Sequence, residues 1–175
     1  MHWFLHTIAS LIVAATPILR EYGIWAVVFG LFFEGAGVLF IPGESIIVAA
    51  GFLAAKGVFP ILEVFPVAIL SAPLGGYLAY GLGAKYGHAG LLRYGRYVWI
   101  KPEMVDKVHR FFHRFGVPVV AIGRFIVPLR QLQGYLAGSA EMGFVAFSIW
   151  SAVGAVAWVG VWGLGAYWLA DSIPA

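Results

Sequence analysis

Phe33-Glu34-Gly35-Ala36-Gly37-Val38-Leu39-Phe40-Ile41-Pro42-Gly43-Glu44 sets two carboxylates at the ends of an apolar segment broken by glycine and proline. Further along, Gly123-Arg124-Phe125-Ile126-Val127-Pro128-Leu129-Arg130 repeats the design with two guanidinium groups. Both stretches lie in surroundings apolar enough to enter a bilayer. An ionisable group at that depth costs about 2.5–3.5 kcal/mol or more, so four of them call for a substrate, an ion or a partner charge.

Composition places the chain in a membrane. It is 62% hydrophobic and only 11% charged, against about 25% charged for a soluble domain. The uncharged runs 64–84 and 142–170 are each long enough to cross a hydrocarbon core, which takes about 20 residues. The 175 residues leave room for one membrane domain and no second soluble one. Cysteine is absent, which excludes disulfides and thiolate metal sites. Met1-His2-Trp3-Phe4 lacks the basic n-region of a cleaved signal peptide, so none is expected.

Outward from the two breaks, the chain reads as helices. Residues 3–19 form an apolar helix ending near Pro17 and Arg20-Glu21, lying in the interface or entering the membrane. Tyr22–Phe33 is one apolar arm and Ser45–Ala55 a second, which stops at Lys56-Gly57. The second arm rises only about 16 Å, half a bilayer. Two arms joined at a charged Pro-Gly break predict a re-entrant hairpin, whose non-helical backbone must be covered by protein or a wet cavity. Residues 64–86 predict a spanning helix bent at Pro66 and Pro73. Seven of the eleven basic residues fall between Lys85 and Arg114, which puts that connection on the cytoplasmic side. Within it, Met104, Val105, Val108, Phe111, Phe112 and Phe115 recur at helical spacing, predicting an amphipathic helix on the membrane surface. An arm over 117–127, a short arm over 131–140 and a spanning helix over 142–170 follow.

The two halves are built alike. Each has an arm, a proline break between two like charges, a short arm carrying Ala50-Gly51 or Ala137-Gly138, and a spanning helix. The spanning helices end in Tyr80-Gly81-Leu82-Gly83-Ala84 and Trp162-Gly163-Leu164-Gly165-Ala166. A hairpin returns to its own side and a spanning helix changes sides, so tandem units are inverted relative to each other, a recurrent plan of secondary transporters.

Glu34, Pro42-Gly43-Glu44 and Ala50-Gly51-Phe52-Leu53-Ala54, taken with Gly123-Arg124-Phe125-Ile126, Pro128, Arg130 and Ala137-Gly138, resemble the two signatures of the DedA family, within the SNARE-associated or VTT-domain superfamily. The resemblance covers about residues 20–170. It implies an all-α integral membrane fold: an inverted repeat of re-entrant helical hairpin plus transmembrane helix, with amphipathic interfacial helices. Residues 1–175 then form one domain, with 20–86 as first repeat, 87–116 as basic cytoplasmic linker and 117–170 as second repeat. It also implies a multi-pass protein of the bacterial cytoplasmic (inner) membrane and a flippase-like transporter of a phosphorylated lipid carrier, foremost undecaprenyl phosphate, with proton coupling. The family's essential acidic pair falls on Glu34 and Glu44, and its arginine pair on Arg124 and Arg130. The chain departs from the family in having Glu rather than Asp at the second acidic position, a slightly shorter loop between the acids, and Gln131, Gln133 and Gly134 after Arg130.

Residue chemistry agrees with the resemblance. Arginine suits a lipid phosphate because it stays charged when desolvated and offers a planar fork of donors. Half-helix N-termini at the breaks would add positive potential. Burial raises a carboxyl pKa and a neighbouring arginine lowers it, so Glu34 or Glu44 is placed to take a proton when phosphate displaces an arginine partner. The expected partners are membrane lipids, a polyprenyl phosphate and protons, with a homodimer as the candidate assembly and no nucleic acid. No metal and no cofactor are expected: His109 and His113 have ligand spacing but no third ligand. The alternative function is a proton-coupled antiporter of cationic drugs or ions that binds its cargo on the carboxylates. The structural alternative is a pair of buried salt bridges that only hold the halves together. An enzyme is not expected, because no histidine or serine motif accompanies the arginines. Trp150, Trp158, Trp162 and Trp168 read as packing and interfacial-belt residues.

Overall fold

The computed structural model describes residues 2–38, 40–94, 103, 107, 110 and 117–170, and within them the secondary structure is entirely helical. Helix α1 is His2–Tyr22, α2 is Ile24–Gly35, α3 is Gly43–Ala55 and α4 is Ile61–Tyr94. After the basic connection come α5, Val119–Gly123, α6, Val127–Ser139, and α7, Phe144–Val159. A π-helical turn, Gly160–Leu164, carries α7 into α8, Gly165–Trp168. Among the described residues, two stretches are long and apolar enough to cross a membrane, Ile61–Gly87 and Phe144–Trp168.

Several boundaries move from their sequence-based positions. Pro17 lies inside α1, which ends at Tyr22, just past Arg20-Glu21. Thr16 Oγ1, next to the proline, donates back to the Ile12 carbonyl at 2.7 Å. Pro66 and Pro73 likewise sit within α4, whose backbone leaves helical geometry only at Gly87, φ 61° and ψ −167°, a conformation that needs glycine. The arm expected over 117–127 is helical only to Gly123, and Arg124 caps it. The surface helix expected from Pro102 to Phe115 falls almost wholly outside the described residues, as do His109 and His113.

Bare backbone governs how the helices meet. A side chain at Gly35 would strike the Ala72 carbonyl, and one at Gly75 would strike the Phe32 carbonyl, so α2 and α4 cross with nothing between them. Helix α6 lies along α4 in step. Gly134 abuts the Gly76 carbonyl, and four residues on Gly138 abuts the Tyr80 carbonyl. Helix α3 meets the far end of the second long helix in the same way, with Gly51 against the Gly163 carbonyl. Small residues at such crossings let helices approach closely where lipid supplies no hydrophobic drive between them.

Each short arm thus packs on the spanning helix of the other half: α3 on the π turn and α8, α6 on α4. The two apolar cores follow this exchange. One joins α1–α3 and the start of α4 to Trp158, Val159, Ala166 and Ala170. The other joins Val119, Val120, Leu132, Leu136 and Ala137 to Phe147, flanked by Tyr77 and Tyr80 of α4. The outer faces are apolar too, with Leu62, Leu70 and Leu74 on α4 and Val145, Ile149 and Val156 on α7 all exposed, as the surface of a membrane domain must be.

Candidate functional site: a buried four-charge cluster

The first break is pinned against α6. Gly37 has φ 93°, and a side chain there would lie 2.7 Å from the Tyr135 ring and 3.1 Å from the Gln131 carbonyl. The position therefore requires glycine twice over, by conformation and by space. Tyr135 Oη donates to the Ala36 carbonyl at 3.0 Å. These contacts carry Glu34, in the last turn of α2, and Glu44, in the first turn of α3, onto the start of α6. There Pro128 occupies the first turn, where its missing N–H costs nothing. Arg130 follows two residues later.

Arg130 is the hub. Its Nη2 reaches Glu34 Oε1 at 2.6 Å and Glu44 Oε2 at 2.8 Å, and its Nη1 pairs with Glu44 Oε1. The pair with Glu44 is a two-pronged fork, the strongest geometry open to these groups. Nη1 also donates to the Arg124 carbonyl at 3.4 Å, and the guanidinium carbon lies 5.0 Å from the Trp158 ring centre, within cation–π range. Arg130 and Glu34 are each 2% exposed, and the Glu44 side chain is 23% exposed.

The helix ends explain why these charges need one another. A helix C-terminus is the negative end of its dipole and an N-terminus the positive end. Glu34 stands at the negative end of α2 and Arg130 at the positive end of α6, so each is misplaced on its own helix and relieved by the other. Glu44 alone sits at the end that favours it. The Gly43 N–H, at the start of α3, donates to Glu34 Oε1 at 3.2 Å. One N–H group at the start of α3 is thus turned toward a carboxylate of the cluster. A side chain at Gly43 would overlap that carboxylate outright.

Arg124 is 1% exposed and turns away from the acids toward α7, where Nη2 donates to Ser151 Oγ at 3.0 Å. Gly154, one turn on, makes room for it, since a side chain there would lie 2.8 Å from Ala121 Cα and 3.2 Å from Arg124 Cδ. All four charges singled out in the sequence thus come together, three as a network and the fourth joined through its carbonyl. Glu63 and Glu141 are exposed at segment starts, away from the cluster. Ser151 and Trp158 join it without having been expected there. Ser151 and Trp158 stand seven apart on α7, two turns along one face, and a serine inside an apolar span was the available signal. Trp158 is 1% exposed and packs in the first apolar core, as expected, and its ring also lies beneath Arg130.

Known proteins place the chain in a family. Residues 41–167 match the VTT domain, a range that takes in Glu44, Arg124 and Arg130. An uncharacterized membrane protein of Synechocystis is 35% identical over 142 residues, 81% of this chain and 65% of that protein. Protein DedA of Escherichia coli is 24% identical over 166 residues, 91% of this chain and 75% of that protein. Undecaprenyl phosphate transporter A of Bacillus subtilis is 26% identical over 149 residues, 85% of this chain and 73% of that protein. The chain therefore spans just under two thirds of the Synechocystis relative. No solved structure matches it. With the domain match covering most of its length and the relatives being membrane proteins, the chain belongs to the VTT-domain family of membrane proteins, of DedA type.

Proposed function

We propose that the protein moves a phosphorylated lipid carrier, undecaprenyl phosphate foremost, across the bacterial cytoplasmic membrane, with Arg124 and Arg130 taking the phosphate and Glu34 and Glu44 coupling its movement to protons. One observation carries the reading: Arg130 is held by both carboxylates at once, so whatever neutralises a carboxylate frees a guanidinium. A proton on Glu34 weakens its hold, phosphate takes the vacated donors, and loss of the proton returns Arg130 to the acids and expels the phosphate. The relative named as an undecaprenyl phosphate transporter supports the choice of lipid.

The same reading takes residues 20–86 and 117–170 as inverted repeats whose breaks are the tips of re-entrant hairpins. The packing of each short arm on the opposite spanning helix supports it: Gly51 meets the Gly163 carbonyl, and Gly138 meets the Tyr80 carbonyl, one position before Gly81, the counterpart of Gly163. A cationic cargo fits less well, because both carboxylates are already engaged and four of the five buried atoms without a partner are N–H or O–H groups. Reconstitution tests the proposal. Liposomes holding the purified chain should move a polyprenyl phosphate between leaflets at a rate set by the pH difference. Arg124→Ala and Arg130→Ala should abolish movement, and Glu34→Gln should abolish its response to pH. Transport of lipid that ignores all three changes would overturn it.

A further inference from the structure

The second break presents opposite chemistry on its two sides. Ile122, Phe125, Ile126 and Val127 are 61%, 45%, 44% and 48% exposed, while Arg124 in their midst is 1% exposed. The turn is closed by its own backbone, with Phe125 N–H donating to the Ile122 carbonyl and Ile126 N–H to the Gly123 carbonyl, both at 3.1 Å. A thin apolar lip therefore lies directly over a buried cation.

Polar capacity is left over in the second half. Arg124 Nε, Arg130 Nε, Trp158 Nε1, Ser148 Oγ and Gln133 Oε1 are buried without a hydrogen-bond partner among the described residues. All five belong to the second break, α6 or α7; the acidic break contributes none. A buried donor without a partner forfeits about 1–3 kcal/mol, and Arg124 Nε and Arg130 Nε, on the two cations of the site, are such donors. The arginines differ in readiness. Arg130 is neutralised by two carboxylates, whereas Arg124 is held by the neutral hydroxyl of Ser151.

We propose that this break is a lateral entry site for an amphiphilic phosphate monoester, whose chain lies on Ile122, Phe125, Ile126 and Val127 while its phosphate is received first by Arg124 and only then by Arg130. The inference rests on the anion reading above and adds to it a point of entry, an order of engagement and a reason for preferring a lipid to free phosphate. The lip would cover the headgroup's alkyl neighbour and exclude water as the phosphate sheds its own. A hydrophilic phosphate gains nothing from the lip and loses its hydration. Ser151 is the positioning residue that keeps Arg124 aimed inward.

Binding of dodecyl phosphate and of inorganic phosphate to the full chain in detergent, followed by calorimetry, tests this. Dodecyl phosphate should bind at least about tenfold tighter than inorganic phosphate, because apolar contact adds to the same charge pairing. The double variant Phe125→Ser/Ile126→Ser should remove about tenfold of that preference and leave binding of inorganic phosphate unchanged. Thermal unfolding of each variant identifies loss of fold, and for a variant that fails it the milder Phe125→Thr takes its place. Equal affinity for the two phosphates, or an unchanged preference in the folded lip variant, overturns lateral entry while leaving the anion site standing. Binding indifferent to Arg124→Gln, or no binding of either phosphate, overturns both.

Discussion

Arg130 and Glu34 are 96 positions apart in the chain, each set at the end of its own helix that least favours its charge, and they meet at 2.6 Å. The pairing converts two local electrostatic penalties into one long-range contact, and it makes the two halves interdependent at the site.

Arg130→Gln strands Glu34 and Glu44 without their cation. Removing one partner of a buried ion pair costs about 3–5 kcal/mol, and the variant should unfold at correspondingly lower denaturant in detergent. The double variant Glu34→Gln/Arg130→Gln should recover a large part of that loss. Arg130→Lys should not, since an ammonium cannot fork to Glu44 while reaching Glu34.

Trp158 supports the guanidinium through the face of its ring. Trp158→Leu should destabilise the fold by about 3 kcal/mol through lost volume and lost ring contact together, and Trp158→Phe by less. The informative comparison is with Arg130 already replaced by Gln. There the Trp158→Leu penalty should shrink by about 1–2 kcal/mol, the cation–π share read from a double-mutant cycle.

Glycine substitutions should split by what lies beside them. Gly51→Ala and Gly138→Ala drive a methyl into the carbonyls of Gly163 and Tyr80 and should cost about 1–3 kcal/mol as the helices are forced apart. Gly81, in helix α4, has nothing within 4 Å of an added Cβ, and Gly81→Ala should stabilise by about 0.5–1 kcal/mol. Melting temperatures in one detergent check all three.

The chain has no cysteine, so single cysteines report sidedness cleanly. If the halves are inverted hairpins, Lys56→Cys and Glu141→Cys, both at exposed ends of short arms, lie on opposite sides of the membrane. An impermeant maleimide applied to intact cells should label the first and reach the second only after permeabilisation. Labelling of both from one side would refute the inverted arrangement.

Much of this site was legible because intramembrane charge is rare enough to be conspicuous, and Glu34, Glu44, Arg124 and Arg130 are the charges embedded in apolar segments. The doubled pattern was legible for the same reason, through Pro42, Pro128 and the two Ala-Gly pairs. Which charge would meet which was not. Spacing treats the arginines as equivalent, yet Arg130 takes both carboxylates while Arg124 goes to Ser151, because α6 carries one to the first break and α5 leaves the other against α7. Trp158 was illegible because nothing local separates a tryptophan under a cation from one facing lipid. The prolines were ambiguous signals: Pro17, Pro66 and Pro73 all lie inside helices, and local sequence does not say whether a proline ends a helix or is carried through it.

The contact of Gly51 with Gly163 has a consequence for synthesis. A ribosome delivers α3 more than a hundred residues before the carbonyl it must sit against, so during most of translation that short helix has no seat. Its lodging must be among the last events of assembly, after the second long helix has crossed. A chain halted before residue 163 would hold Glu34 and Glu44 in their apolar segments with an unseated helix beside them, a state that quality control can recognise and remove.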